Sequence, residues 1–236
     1  MKKITAAILV SLIFFSCTMK NEINLEKDGS GTASVEINLK SFVLPTIEDL
    51  AEISPDVDPD EMLNPETIKA QMEENPEVRN VRASRPLKNR IKLSFDFGSV
   101  ENLFNQAEDD VQNSGLIRIE ESGDKMKLTL TVNKETYRGF SHLIPNMDDP
   151  TMAALAPDPD MVVEESEYLD MIEFFFGEDG PAGVMDSSLD MTINVNGTIL
   201  DQKGGTKVDN NTVEFKVPLI RVLLLDTNLE YSVTYR

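Results

Sequence analysis

The chain has 236 residues, 40% hydrophobic and 27% charged, enough apolar material for one large domain or two small ones. Its formal charge of −20 leaves no broad basic surface for phosphate contacts, which excludes nucleic acid as a partner. A single cysteine and a single histidine rule out a disulfide framework and multi-histidine zinc sites.

The chain starts Met1-Lys2-Lys3, followed by an apolar run from Ile4 to Phe15, then Ser16 and Cys17. A basic start, a short apolar stretch and a small residue before the cut form a secretory signal. The run falls short of the about 20 residues a membrane-spanning helix needs. Cys17 stands where a bacterial lipoprotein carries its acylated cysteine. Ser16–Cys17 resembles a lipobox, with Phe14 where leucine is usual, a relaxed form similar to those of spirochaetes. This implies cleavage between Ser16 and Cys17, a fatty acyl anchor such as palmitate on Cys17, and a domain in the cell envelope, outside the cytoplasm. Residues 1–16 are then signal peptide and 17–22 a short tether. The folded part is 23–236, with a charge of −22 once Lys2 and Lys3 are removed. No apolar segment follows at the far end, so the lipid is expected to be the sole membrane attachment.

Ile23–Glu26 and Ala33–Leu39 alternate apolar and polar residues around Asp28-Gly29, predicting a hairpin with one buried face. Residues 45–76 are rich in proline and acids and read as an insertion with short helices at Thr46–Ile53 and Pro65–Glu74, proline being suited to a first helical turn. Asp56–Thr67 only faintly follows a calcium loop, lacking the glycine at position six and the glutamate at position twelve. Strands are expected at Val78–Arg82 and Ile91–Phe97, then a helix from Val100 to Asp110 capped by Ser99. A hairpin follows over Leu116–Glu120 and Met126–Val132, then a short helix from Lys134 to about Leu143.

Residues 145–180 read as a second acidic insertion: a proline-rich flap with Met147 and Met152, then a helix at about Met161–Phe176 stopped by Gly177. Its apolar residues Met161, Tyr168, Leu169, Ile172, Phe175 and Phe176 are candidates to cover a pocket for an acyl chain or other hydrophobic ligand, since methionine adapts to irregular apolar partners. Packing of that face on the sheet is the plainer alternative. Strands close the chain at Leu189–Val195, from Ile199, at Thr212–Val217 and at Tyr231–Tyr235; Leu219–Leu225 fits either helix or buried strand.

The hairpin around Asp28-Gly29 close behind Cys17, with the Val195-Asn196-Gly197 turn, the run Asn211–Phe215 and a terminal strand, is similar to LppM-type bacterial lipoprotein domains. That resemblance covers the two ends of the chain. It implies an α+β domain outside a membrane, with an apolar pocket between sheet and helices and no catalytic residues.

The expected architecture is a single α+β domain: a mainly antiparallel, twisted sheet of eight or nine strands with helices on one face. No nucleotide-binding or nucleophile motif is present, no cofactor or metal is called for, and His142 near a helix end suits carbonyl capping. The expected function is non-enzymatic. The chain is a lipoprotein binding a lipid or hydrophobic envelope ligand near the bilayer; alternatively, it is a structural or adaptor lipoprotein docking an envelope protein.

Overall fold

The computed structural model describes residues 17–41, 44–45, 63–105, 115–141, 158 and 160–236. The signal segment with Ser16, the first acidic insertion up to residue 62, His142 and the Met147–Met152 flap lie outside the described residues.

Alternation sets most of the strands. β1 (Cys17–Leu25) and β2 (Gly31–Leu39) pair antiparallel through a turn in which Asp28 accepts from the Ser30 amide and hydroxyl. Gly29 sits at φ +80°, a conformation cheap for glycine. A Cβ on Gly31 would overlap the Asn24 carbonyl oxygen, so the far side of this turn admits no side chain. β3 (Val78–Leu87) and β4 (Arg90–Phe97) extend the sheet beyond β2. β7 (Ser188–Val195) pairs parallel with β1, and β10 (Thr212–Pro218) and β9 (Thr206–Lys207) follow on its other side. The order is β3-β4-β2-β1-β7-β10-β9.

A second sheet, β5-β6-β11-β8, is built from β5 (Ile117–Ser122), β6 (Lys125–Val132), β8 (Ile199–Lys203) and β11 (Leu229–Tyr235). The fold is therefore α+β as expected, but the strands divide between sheets of seven and four instead of forming one. The reason is chemical: Met19, Ile23 and Leu25 of β1 and the odd-numbered residues of β2, β4, β7 and β10 point inward and join Met126, Leu128, Tyr231, Val233 and Tyr235 of the other sheet in one core. Two layers bury both apolar faces, which one open sheet could not do. Phe215 and Tyr231 meet edge to face across the layers at 5.5 Å.

The helices do not cover one face of a sheet either. α1 (Pro65–Glu73), capped by the Asn64 side chain at the Glu66 amide, packs Ile68 and Met72 into the main core beside β3. α2 (Val100–Asn105) follows β4, with the Ser99 hydroxyl accepting from the Asn102 amide. The other helices join strand ends on the Cys17 side. α3 (Lys134–Ser141) follows β6, α5 (Asp179–Met185) leads into β7, and α6 (Leu219–Leu224) carries the chain from β10 toward β11. α4 (Glu165–Phe176) packs on α5 and α6. Among the described residues no helix is long and apolar enough to cross a membrane.

Candidate functional site

Residues 18–22 are not a tether. β1 begins at Cys17, and its register runs without a break from Cys17 opposite Leu39 to Leu25 opposite Gly31. From Met19 onward β7 pairs on the other side, Met19 with Leu189 through Leu25 with Val195. The physical reason lies in the alternation, which continues through the segment: Met19 is 3% exposed while Lys20, Glu22 and Asn24 face solvent. Asn21 adds a side-chain bond to the Asp190 carbonyl at 3.3 Å. Cys17 is thus the first residue of a strand at the middle of the larger sheet.

The helix carrying the candidate apolar residues starts at Glu165, so Met161 and Val162 precede it and lie 57% and 81% exposed. Gly177, at φ +73°, ends it as expected. Tyr168 and Ile172 are buried with Val184, Leu219, Ile220, Leu223 and Leu224, and Leu169, Phe175 and Phe176 pack against the same group. Five of the six candidates therefore come together, joining α4, α5 and α6 in a satellite core, and Met161 stays outside it. Phe176 also reaches the main core. Burial pushes the Tyr168 hydroxyl well above its ordinary range, with Tyr137 beside it adding to the shift. Tyr137 itself is pushed up to about 12 by burial, helped by the negative charge of Asp158. These groups stay protonated and offer no base.

The outward face of the larger sheet is polar from edge to edge. Across β10, β7, β1, β2 and β4 the register aligns Lys216, Asp190, Lys20, Glu36 and Lys92, alternating in sign. Glu36 pairs with Lys92 at 3.0 Å and Arg90 at 3.6 Å, and the Lys92 hydrogen bond holds its carboxyl below the usual range. Toward the other end, Thr212 donates to Asn194, Asn194 to Asn24 and Asn24 to Thr32, at 2.9, 3.0 and 3.0 Å. A groove of about 640 Å³ lies on this face, bounded by Lys20, Glu22, Glu36, Asp190 and Lys216 and by the Gly204–Thr206 turn. Mixed charge and hydroxyls suit a polar surface and not an acyl chain. Among the described residues no cluster of metal-ligating side chains occurs.

Sequence reasoning missed one basic patch. Residues 82–92 carry Arg82, Arg85, Lys88, Arg90 and Lys92 and no acid, in a chain with 42 acidic and 22 basic residues. A running charge count along the sequence finds it.

No protein-family model matches the chain, and no curated relative matches it. Among solved structures it is similar to the NMR structure of the folded domain of Mycobacterium tuberculosis LppM, at 12% identity and a TM-score of 0.43, over 94% of this chain and 90% of that one.

Proposed function

We propose that the chain is a non-enzymatic envelope lipoprotein, acylated at Cys17, that holds a rigidly oriented domain directly on the outer surface of a membrane and serves there as a structural or adaptor module. The observation that carries this reading is the start of β1 at Cys17, inside a strand paired on both sides once Met19 is reached. An acyl group on that residue fixes which end of the molecule faces the bilayer, because no flexible leash lies between lipid and sheet. Exposed apolar side chains agree with that orientation. Leu87 and Met185 border the Cys17 end of the sheet, at 53% and 44% exposure.

A docking role is favoured over carriage of a hydrophobic ligand because α4 commits Tyr168, Ile172 and Phe176 to the protein's own core. What it leaves open to a partner is Phe174, 84% exposed among Glu167, Asp170 and Glu173. Replacing Cys17 by serine should move the protein from the membrane to the soluble fraction of cells; a variant that stays bound overturns the anchor. Mass spectrometry of the purified protein should find no stoichiometric bound lipid beyond the acyl group, and a tightly held lipid would restore the carrier reading.

A further inference from the structure

The basic run lies in the hairpin formed by β3 and β4, and strand register fixes its height. Cys17 stands opposite Leu39. The Leu39 amide donates to the Asn89 carbonyl at 2.9 Å, and the Asn89 side chain donates back to the Leu39 carbonyl at 3.2 Å. Asn89 is therefore level with Cys17 along the strands and two strand spacings away, roughly 10 Å. Leu87 and Lys88 sit at that same end. β3 is an edge strand, and its register shifts between Ser84 and Leu87, where Pro86 interrupts the pairing. The Arg85 Nε donates to the Lys88 carbonyl at 2.8 Å and ties the turn together. Arg90 and Lys92 lean on Glu36, while Arg82, Lys88 and Leu87 are exposed.

Building on the acylation of Cys17 proposed above, we infer that this hairpin tip contacts anionic lipid headgroups of the membrane that holds the acyl chain. Cations near such a surface each strengthen attachment about fivefold, and the field decays over a Debye length of about 8 Å. A molecule of charge −22, the −20 of the full sequence less Lys2 and Lys3, is repelled as a whole by an anionic surface, so the basic tip works only when something holds it inside that distance. The acyl chain on β1, two strands from β4 and level with the tip, does so. Leu87 at the tip supplies an apolar side chain that can sink among the headgroups while Arg85 and Lys88 pair with phosphate. An acidic protein is the competing occupant. The level placement beside the anchor favours the lipid, which the tip meets without any further partner.

The chain contains no tryptophan, so Leu87→Trp gives an emission signal from the tip alone. The acylated protein would be reconstituted in vesicles of phosphatidylcholine, or of equal parts phosphatidylcholine and phosphatidylglycerol. The expected result is a blue-shifted emission, shielded from acrylamide, in the mixed vesicles only, reversed by high salt. Val208→Trp, at the opposite end of the sheet beside Thr212, should respond to neither. Adding Arg85→Gln and Lys88→Gln should weaken the lipid-dependent signal by about 25-fold, fivefold for each charge. Equal emission in both vesicles, or a shift that survives the double substitution, overturns the inference. A shift seen only in native membranes rich in protein also overturns it and assigns the tip to a protein partner. Mass analysis of Cys17 separates the two failures. An unmodified cysteine overturns the lipoprotein reading, whereas an acylated cysteine without lipid-dependent emission overturns the hairpin inference alone.

Discussion

The main core and the satellite core are built by different rules. Between the sheets, buried residues come from strands far apart in sequence, and each is held by neighbours on both layers. In the satellite, three short helices from residues 165–224 bury a small group around Ile172 and Leu219. The larger cluster distributes strain over many contacts, and the smaller has few with which to compensate for a loss. Apolar residues in a helix therefore mean something different here from apolar residues in a strand. Those of α4 are candidates for a ligand because methionine and phenylalanine concentrate there, and the structure packs five of them helix on helix.

The sharpest test of this comparison is Phe215→Ala. Its ring is 3% exposed and meets Tyr231 edge to face, so the substitution should cost about 3–5 kcal/mol in chemical denaturation and lower both sheets together. Ile172→Ala, at 2% exposure, should cost about 2–4 kcal/mol. The informative readout is hydrogen exchange: amides of α4–α6 should open more readily while those of β1, β2 and β10 keep their protection. Equal loss in both regions would show that the satellite does not behave as a separate unit.

High pH acts on the main core, which holds both Tyr137 and Tyr235. Tyr137 and Tyr235 are pushed up to about 12, chiefly by burial, from an unfolded value of about 10. A raised folded value means that the native state holds its protons longer than the unfolded state does. Stability should thus be level below pH 10, fall from about 10 to 12, and flatten in Tyr235→Phe, as followed by unfolding at stepped pH. The smallest effect belongs to Phe174→Ser. With the ring 84% exposed, stability should change by no more than about 0.5 kcal/mol, leaving the variant fit for partner-binding assays. A large loss would place Phe174 in the satellite core.

Much of the local structure was legible. Asp28-Gly29 marked the first hairpin, Pro65 the start of α1, Gly177 the end of α4 and period-two alternation most strands. The split into two sheets was not, because alternation says that a face is buried without saying against what. The parallel pairing of β1 with β7 joins residues 170 apart and leaves no local trace. Residues 18–22 read as a tether because Lys20, Asn21 and Glu22 are three polar residues in a row, yet backbone pairing on both sides carries the strand through them and Asn21 bonds the Asp190 carbonyl. Leu219–Leu225 was ambiguous for a related reason: a short apolar run buried on every side has no period to read, and it is helix up to Leu224. At the candidate site, Cys17 was plain, whereas the charge of the β3–β4 tip became meaningful only once register set it beside that cysteine.

The parallel β1–β7 pairing also bears on how the protein is made. The first strand to emerge sits at the centre of the larger sheet, and its partner on one side begins at Ser188. At about 5–20 residues per second, β1 waits roughly 10–35 s for β7 to be synthesised. During that time the sheet ends at β1, with one row of backbone groups unpaired. The larger sheet therefore closes late, only when nearly the whole sequence has followed.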